Sequence, residues 1–360
     1  MNDRIVDLLR MLVAFRTVEG NQASKQECID YIASGFLSRA GRRIERGIVK
    51  GCPYALMPCE GAQLIWFAHL DVVPGSEQQF VLDVRGDKLF GRGAKDMKGA
   101  VVPFLLAFAD ACDAGTIPRV TVLLTTDEEI GGPTIPQLLE RGAFTEPAAF
   151  TPDSGSDPWM IIEHKAIAQA RLIARGKGGH GATPWKTNNP IPLLARAILA
   201  IDQAFPHGTH ADWQMTVTPT MLHGATAWNV IPNEVMCAMD IRITPEQARD
   251  PEAALDPLRA VLPEGCTLTL ERFASPLRTP SDHPMVLRMQ RIAQDVLGHP
   301  ISLGRVHGGT DARHFGQAGI PAFLYGPEGA GLHGPEEWVS LPSLLQHVEI
   351  NARLLAELCD

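Results

Sequence analysis

Hydrophobic and polar positions along this chain fall into two textures. Up to about residue 165, helical and strand patterns alternate. Ile5, Leu8, Leu9, Leu12 and Val13 recur at the spacing of an amphipathic helix. Residues 62–68 (AQLIWFA) and 120–125 (VTVLLT) are short apolar runs that give way at once to polar, acidic or Gly/Pro residues. Buried strands whose carboxyl ends open into a crevice have this pattern. Residues 98–112 between them predict a helix, so the order strand, helix, strand implies an α/β sheet with helical crossovers.

The second texture begins near residue 166. A half-exposed strand is expected at 166–174, a proline-broken helix through 193–205, and strands around 215–222 and 235–243. A helix near 253–261 and a strand at 267–273 complete a β-α-β-β-α-β order, the ferredoxin-like pattern. Such a sheet carries helices on one face and leaves the other face, or an edge strand, for a second subunit. From about 278 the first texture returns, with a helix at 285–297, a strand at 322–325 and a closing helix at 341–358. The expected architecture is α/β: a discontinuous domain of residues 1–166 and 278–360, interrupted by a smaller domain of residues 167–277.

Composition narrows the class. At 360 residues the chain exceeds the ~250–300 that one core usually supports, so two domains are expected. With 45% hydrophobic and 20% charged residues the chain is globular rather than disordered. A net charge of −9 argues against a nucleic-acid groove. Seven scattered cysteines without a CxxC pair suit reduced thiols in a cytosol. The amino terminus lacks the features of a signal peptide, and the longest apolar run, 100–109, holds a proline and is about half a membrane span. A cytoplasmic protein with no membrane partner is the expectation.

The polar residues that follow the apolar runs carry the chemistry. His69 stands in FAHLDVVPG, Asp96 in GRGAKDMKG, Glu129 in TTDEEIGG, Asp153 in FTPDSG and His333 in GLHGPEE. Three carboxylates and two imidazoles packed together, with Glu128 beside them, would force protons onto some members. The cost is on the order of 1.4 kcal/mol per pKa unit shifted, unless cations balance the charge. Two divalent metals would do so.

Each element has a plainer alternative. Asp71, two residues beyond His69, shares its face on an extended strand and can orient its imidazole, directly or through a local turn. Asp96 precedes a helix and fits either a ligand that bridges two metals or an N-cap. Lys95 and Lys98 beside it are either solvated or hold the loop's charge. In the DEE run, Glu128 and Glu129 can point apart, one to a metal and one to a proton on water. Asp153 and His333 are each, singly, ordinary turn residues. The stretch Gly176–Gly181 fits GxGxxG but leads into Ala-Thr-Pro-Trp rather than a helix, which argues against a dinucleotide site.

Taken in order, HLDVVP, GRGAKDMKG, TTDEEIGG, a lone acid, GKGGHGATPW, NVIPNEV, GGTDARHF and GLHGPEE resemble the dinuclear-zinc aminoacylase family across nearly the whole chain. That family includes acetylornithine deacetylase, succinyl-diaminopimelate desuccinylase, carnosinase-type dipeptidases and a glutamate-releasing carboxypeptidase. The resemblance implies a zinc-peptidase-like catalytic domain with an inserted dimerisation or lid domain, and a homodimer. It implies two Zn2+ ions, with Co2+ or Mn2+ as substitutes. His69 and Asp153 would hold one ion, Glu129 and His333 the other, and Asp96 would bridge them. Glu128 is similar to the family's general base and Asp71 to its orienting acid. Many members carry glutamate where this chain has Asp153, and Asp157 is a second candidate there. His180 matches the histidine that stabilises the oxyanion from the partner subunit.

Asn229, Arg242 and the pair Gly309-Thr310 look like the set that holds a substrate carboxylate. Read without the resemblance, Arg242 is a surface arginine on a strand and Gly309-Thr310 an ordinary loop. Lys165 stands near where desuccinylases carry an arginine, which leaves the acyl group open. The implied reaction is hydrolysis of an amide bond next to a free carboxylate. Its substrate would be a small N-acyl amino acid, or for a dipeptidase or carboxypeptidase a short peptide. A silent binding relative would be expected to lack the base or ligands.

Overall fold

The computed structural model describes residues 1–209, 211–224 and 227–359. The chain divides into two compact units, one of residues 1–163, 278–306 and 310–360, the other of 164–277 with 307–309.

The first unit is built on a mixed sheet. Its centre is a run of parallel strands in the order Thr121–Thr125, Ile65–His69, Ala149–Thr151 and Ala322–Leu324. Antiparallel strands Cys52–Met57 and Glu45–Val49 extend one side. The central strands are buried at every position, which explains their uninterrupted apolar sequence. Helix Lys98–Asp113 is buried through its first twelve residues, and Phe104 on it stacks on Trp66 with ring centroids 3.8 Å apart. Helices Asn2–Ala14 and Leu341–Glu357 pack on it and add Leu9, Leu12, Leu344 and Leu354 to the same core. A small antiparallel sheet in this unit pairs Lys88–Phe90 with Asp83–Arg85 and Trp338–Ser340.

The second unit has the β-α-β-β-α-β order, and its four antiparallel strands run Thr216–His223, Glu234–Ile243, Ala166–Arg175 and Cys266–Ala274. Burial alternates residue by residue along Glu234–Ile243, as a sheet with one covered face requires. Helix Pro190–Ala204 is continuous rather than broken. Pro190 and Pro192 both lie in its first turn, where a missing N–H costs no helical hydrogen bond. The predicted 253–261 helix is instead a 3-10 turn, Ala253–Leu255, followed by the short helix Asp256–Ala260. Among the described residues, no helix is long and apolar enough to cross a membrane.

Candidate metal centre

The parallel strands bring their carboxyl ends to one edge of the sheet, and most of the candidate ligands leave from there. His69 ends its strand opposite Thr125, and Asp127, Glu128 and Glu129 follow directly. Glu128 and Glu129 begin a 3-10 turn, whose three residues per turn send neighbouring side chains apart. Asp153 lies two residues past Ala149–Thr151. Asp96 and His333 come from the small sheet. Its register pairs Phe90 with Trp338, so the chain runs forward from one to Asp96 and backward from the other to His333.

These side chains converge. His69 Nε2 lies 3.1 Å from Asp96 Oδ1 and 3.6 Å from Asp153 Oδ1. His333 Nε2 lies 3.3 Å from both Asp96 Oδ2 and Glu129 Oε2. Two triads result, His69–Asp96–Asp153 and Asp96–Glu129–His333, each with its ligand atoms within 4.8 Å of one another. Asp96 belongs to both and turns one oxygen to each. Its carboxylate is not spent on capping, since Met97 occupies the cap of the following helix. Asp157 points elsewhere and pairs with His299 at 3.0 Å.

Asp71 stands beside His69 and also reaches the turn that follows the next strand. His69 Nδ1 sits 3.1 Å from the main-chain carbonyl of Asp71, while the carboxylate is 3.5 Å away. That carboxylate also accepts the backbone N–H groups of Glu128 and Glu129. The third acid of the run, Asp127, accepts from Thr134 N and Oγ1 at 2.8 and 2.6 Å, at the first residue of helix Thr134–Glu140. Lys95 and Lys98 are buried and donate to the carbonyls of Pro327 and Phe15.

The electrostatics show a shortage of positive charge. Burial, reinforced by the charge of Asp96, pushes the Glu129 carboxyl up to about 7. Burial first, then the charge of Asp311, holds Glu128 well above the ordinary range. Burial also raises Asp153. Asp96 goes the other way: burial opposes its charge, but His333 and His69 outweigh it. Burial disfavours a charged His69, yet Asp153, Asp71 and Asp96 keep its pKa well above the usual value. Glu129 Oε1 is buried with no hydrogen-bond partner. A mixed set of imidazole nitrogens and carboxylate oxygens suits Zn2+, Co2+ or Mn2+. The residues fit divalent cations.

Three further residues shape the site and were quoted in motifs without being assigned a role. Asp311 of GGTDAR is buried beside Arg313 and His314, at 3.3 and 3.4 Å. Arg313 donates to the Gly131 carbonyl at 3.2 Å and lies 4.0 Å from Glu128 Oε1, bracing the turn that carries the two glutamates. Glu337 of GPEE is buried and accepts backbone N–H groups from the Asp96 loop. The remaining residues expected at the site lie on other elements. In the second unit His180 is exposed on the two-residue strand Gly179–His180, and its Nδ1 accepts from Ala182 N. Asn229 is exposed, and its carbonyl accepts from Gly181 N at 2.8 Å. Arg242 pairs with Asp240 of its own strand at 2.7 Å. Gly309 belongs to the second unit and packs against Ile167, whereas Thr310 is buried in the first. Lys165 is buried, donates to the Gln214 carbonyl and lies 5.2 Å from the Trp213 ring.

Residues 65–357 match the model of peptidase family M20/M25/M40. The chain belongs to this family. It is 26% identical to a succinyl-diaminopimelate desuccinylase of Wolinella succinogenes, over 99% of each chain. It is 30% identical to one of Xanthomonas campestris pv. campestris, over 78% of this chain and 80% of the relative. Among solved structures, an M20 metallo-carboxypeptidase of Sulfolobus solfataricus superposes with a TM-score of 0.80 at 18% identity, covering 100% of this chain and 99% of the other. Human carnosine dipeptidase 1 gives 0.74 at 17% identity, over 99% and 96%. These structural likenesses speak to the fold. Membership makes the M20 chain a hydrolase of amide bonds.

Proposed function

We propose that this M20 enzyme is a two-metal deacylase that hydrolyses the amide of an N-acyl amino acid next to its free carboxylate. The observation that carries the reading is Asp96, shared between two ligand triads through its separate oxygens. His69 and Asp153 would hold one zinc, Glu129 and His333 the other, and Asp96 would bridge them. Bound there, such ions polarise an amide carbonyl and make water a stronger acid. Glu128 is the proton carrier: its carboxylate takes a proton from water and, as the carboxylic acid that burial favours, returns it to the leaving amine. Asp71 sets the backbone from which Glu128 projects. His180 serves as an oxyanion donor, and Asn229, Arg242, Gly309 and Thr310 hold the substrate carboxylate. The naming of the curated relatives as desuccinylases supports an acyl substrate.

A cytoplasmic homodimer through the second unit belongs to the same reading. Its outer strand Thr216–His223 exposes Met221 and Leu222, and Ile191 and Leu199 of helix Pro190–Ala204 are exposed as well. Two copies of such a strand can pair antiparallel across a two-fold axis.

The test is amine release by chelated and by Zn2+-, Co2+- or Mn2+-reconstituted enzyme. The panel is N-acetylornithine, N-succinyl-diaminopimelate, N-acylglutamates and dipeptides. The reading expects turnover of N-acyl amino acids that chelation abolishes and metal restores. Preference for dipeptides, or no turnover in metal-replete protein, would overturn it.

A further inference from the structure

The two loops that carry Asp96 and His333 are tied together by one carboxylate that belongs to neither triad. Glu337 is 1% exposed, and both its oxygens are occupied. Oε1 accepts the N–H groups of Lys95 at 2.9 Å and Asp96 at 3.0 Å. Oε2 accepts the N–H of Gly93 at 3.0 Å and Arg92 Nη1 at 2.7 Å. The guanidinium of Arg92 continues the chain of contacts, since its Nη2 donates to the carbonyls of His333 and Pro74, each at 3.3 Å. His333 needs such a tie, because it holds φ at 61°, a left-handed conformation that a residue with a side chain adopts reluctantly. A buried ion pair adds little net stability over an apolar pair of similar size, so its value here lies in orientation.

We propose that Glu337 and Arg92 are positioning residues that set Asp96 and His333 toward each other, so that the Asp96–Glu129–His333 triad, which takes two of its three ligands from the tied loops, binds its cation tightly. The inference rests on the two-metal reading. Glu337→Gln keeps the shape but replaces one acceptor oxygen with a donor that must face backbone N–H groups or a guanidinium. Arg92→Lys keeps the charge but loses the fork that reaches both Glu337 and His333.

The experiment is calorimetric titration of the metal-free protein with Zn2+, and with Co2+ followed by its visible absorption, alongside thermal unfolding. Wild type should take two ions. Glu337→Gln and Arg92→Lys should still take two ions, one about 10–100-fold more weakly and the other, which shares Asp96, with a smaller loss, and should change the cobalt spectrum. Glu336→Gln, at the exposed neighbour that pairs with Arg85, should bind as wild type. A folded Glu337→Gln or Arg92→Lys protein that binds both ions as wild type would overturn the inference alone. Equal weakening of both ions, in step with a lowered Tm, would also overturn it, since that marks a general structural role. Should wild type itself take fewer than two ions, the two-metal reading falls, and this inference with it.

Discussion

The carboxylate of Asp71 accepts the backbone N–H of Glu128, Oδ1 to N at 3.2 Å, while its other oxygen takes that of Glu129 at 3.0 Å. One acid two residues past a candidate ligand thus fixes the main chain from which both the proposed base and another candidate ligand project. Asp71→Asn leaves only one acceptor oxygen for the two N–H groups. We expect kcat to fall about 10–100-fold with KM less affected, as steady-state kinetics on the best substrate would show. Unchanged kcat would leave Asp71 a bystander.

Glu128 is the group whose removal should separate binding from chemistry. Glu128→Gln should retain metal, because Glu128 lies outside both triads, yet lose about 10²–10⁴-fold in turnover. Metal content by elemental analysis, measured beside kcat, checks both halves. An active variant would remove Glu128 from the proton-carrying role.

Gly132 has no room for a side chain. A Cβ there would stand 2.0 Å from Asp311 Oδ1, on a backbone with φ at +61°. Gly132→Ala should therefore cost at least about 1–3 kcal/mol, the usual penalty for a left-handed backbone, and should disturb the turn that carries Glu128 and Glu129. Chemical denaturation checks the stability, and an unchanged midpoint would contradict the packing described.

His347 gives a dependence of stability on pH that owes nothing to the reaction. Burial, helped by the nearby charge of Lys95, lowers its pKa to about 3 from an unfolded value near 6.5. Between those values the unfolded chain binds a proton that the folded chain refuses. Its contribution is therefore complete above pH ~6.5 and is lost progressively as pH falls toward ~3, on the order of a few kcal/mol in all. His347→Leu should flatten that part of the curve, as unfolding midpoints between pH 7 and 4 would show. An identical slope in the variant would count against the assignment.

Sequence alone determined part of the layout: the strands near 62–68, 120–125 and 322–325, the histidine and acids that follow the first two, and a ferredoxin-like unit that interrupts the chain. Those features are local, because periodicity and the polar residues after a buried run are written in neighbouring positions. It left open whether Asp96 capped a helix or joined the cluster of histidines and carboxylates, and whether Asp153 or Asp157 joined it. Only the tertiary structure decided these, through the strand order that brings four carboxyl ends to one edge and the Phe90–Trp338 register that joins two distant loops. The same holds for Glu337 and Arg92, 245 residues apart. Their partners are mostly backbone amides and carbonyls, which every residue carries and which no pattern of side chains reveals.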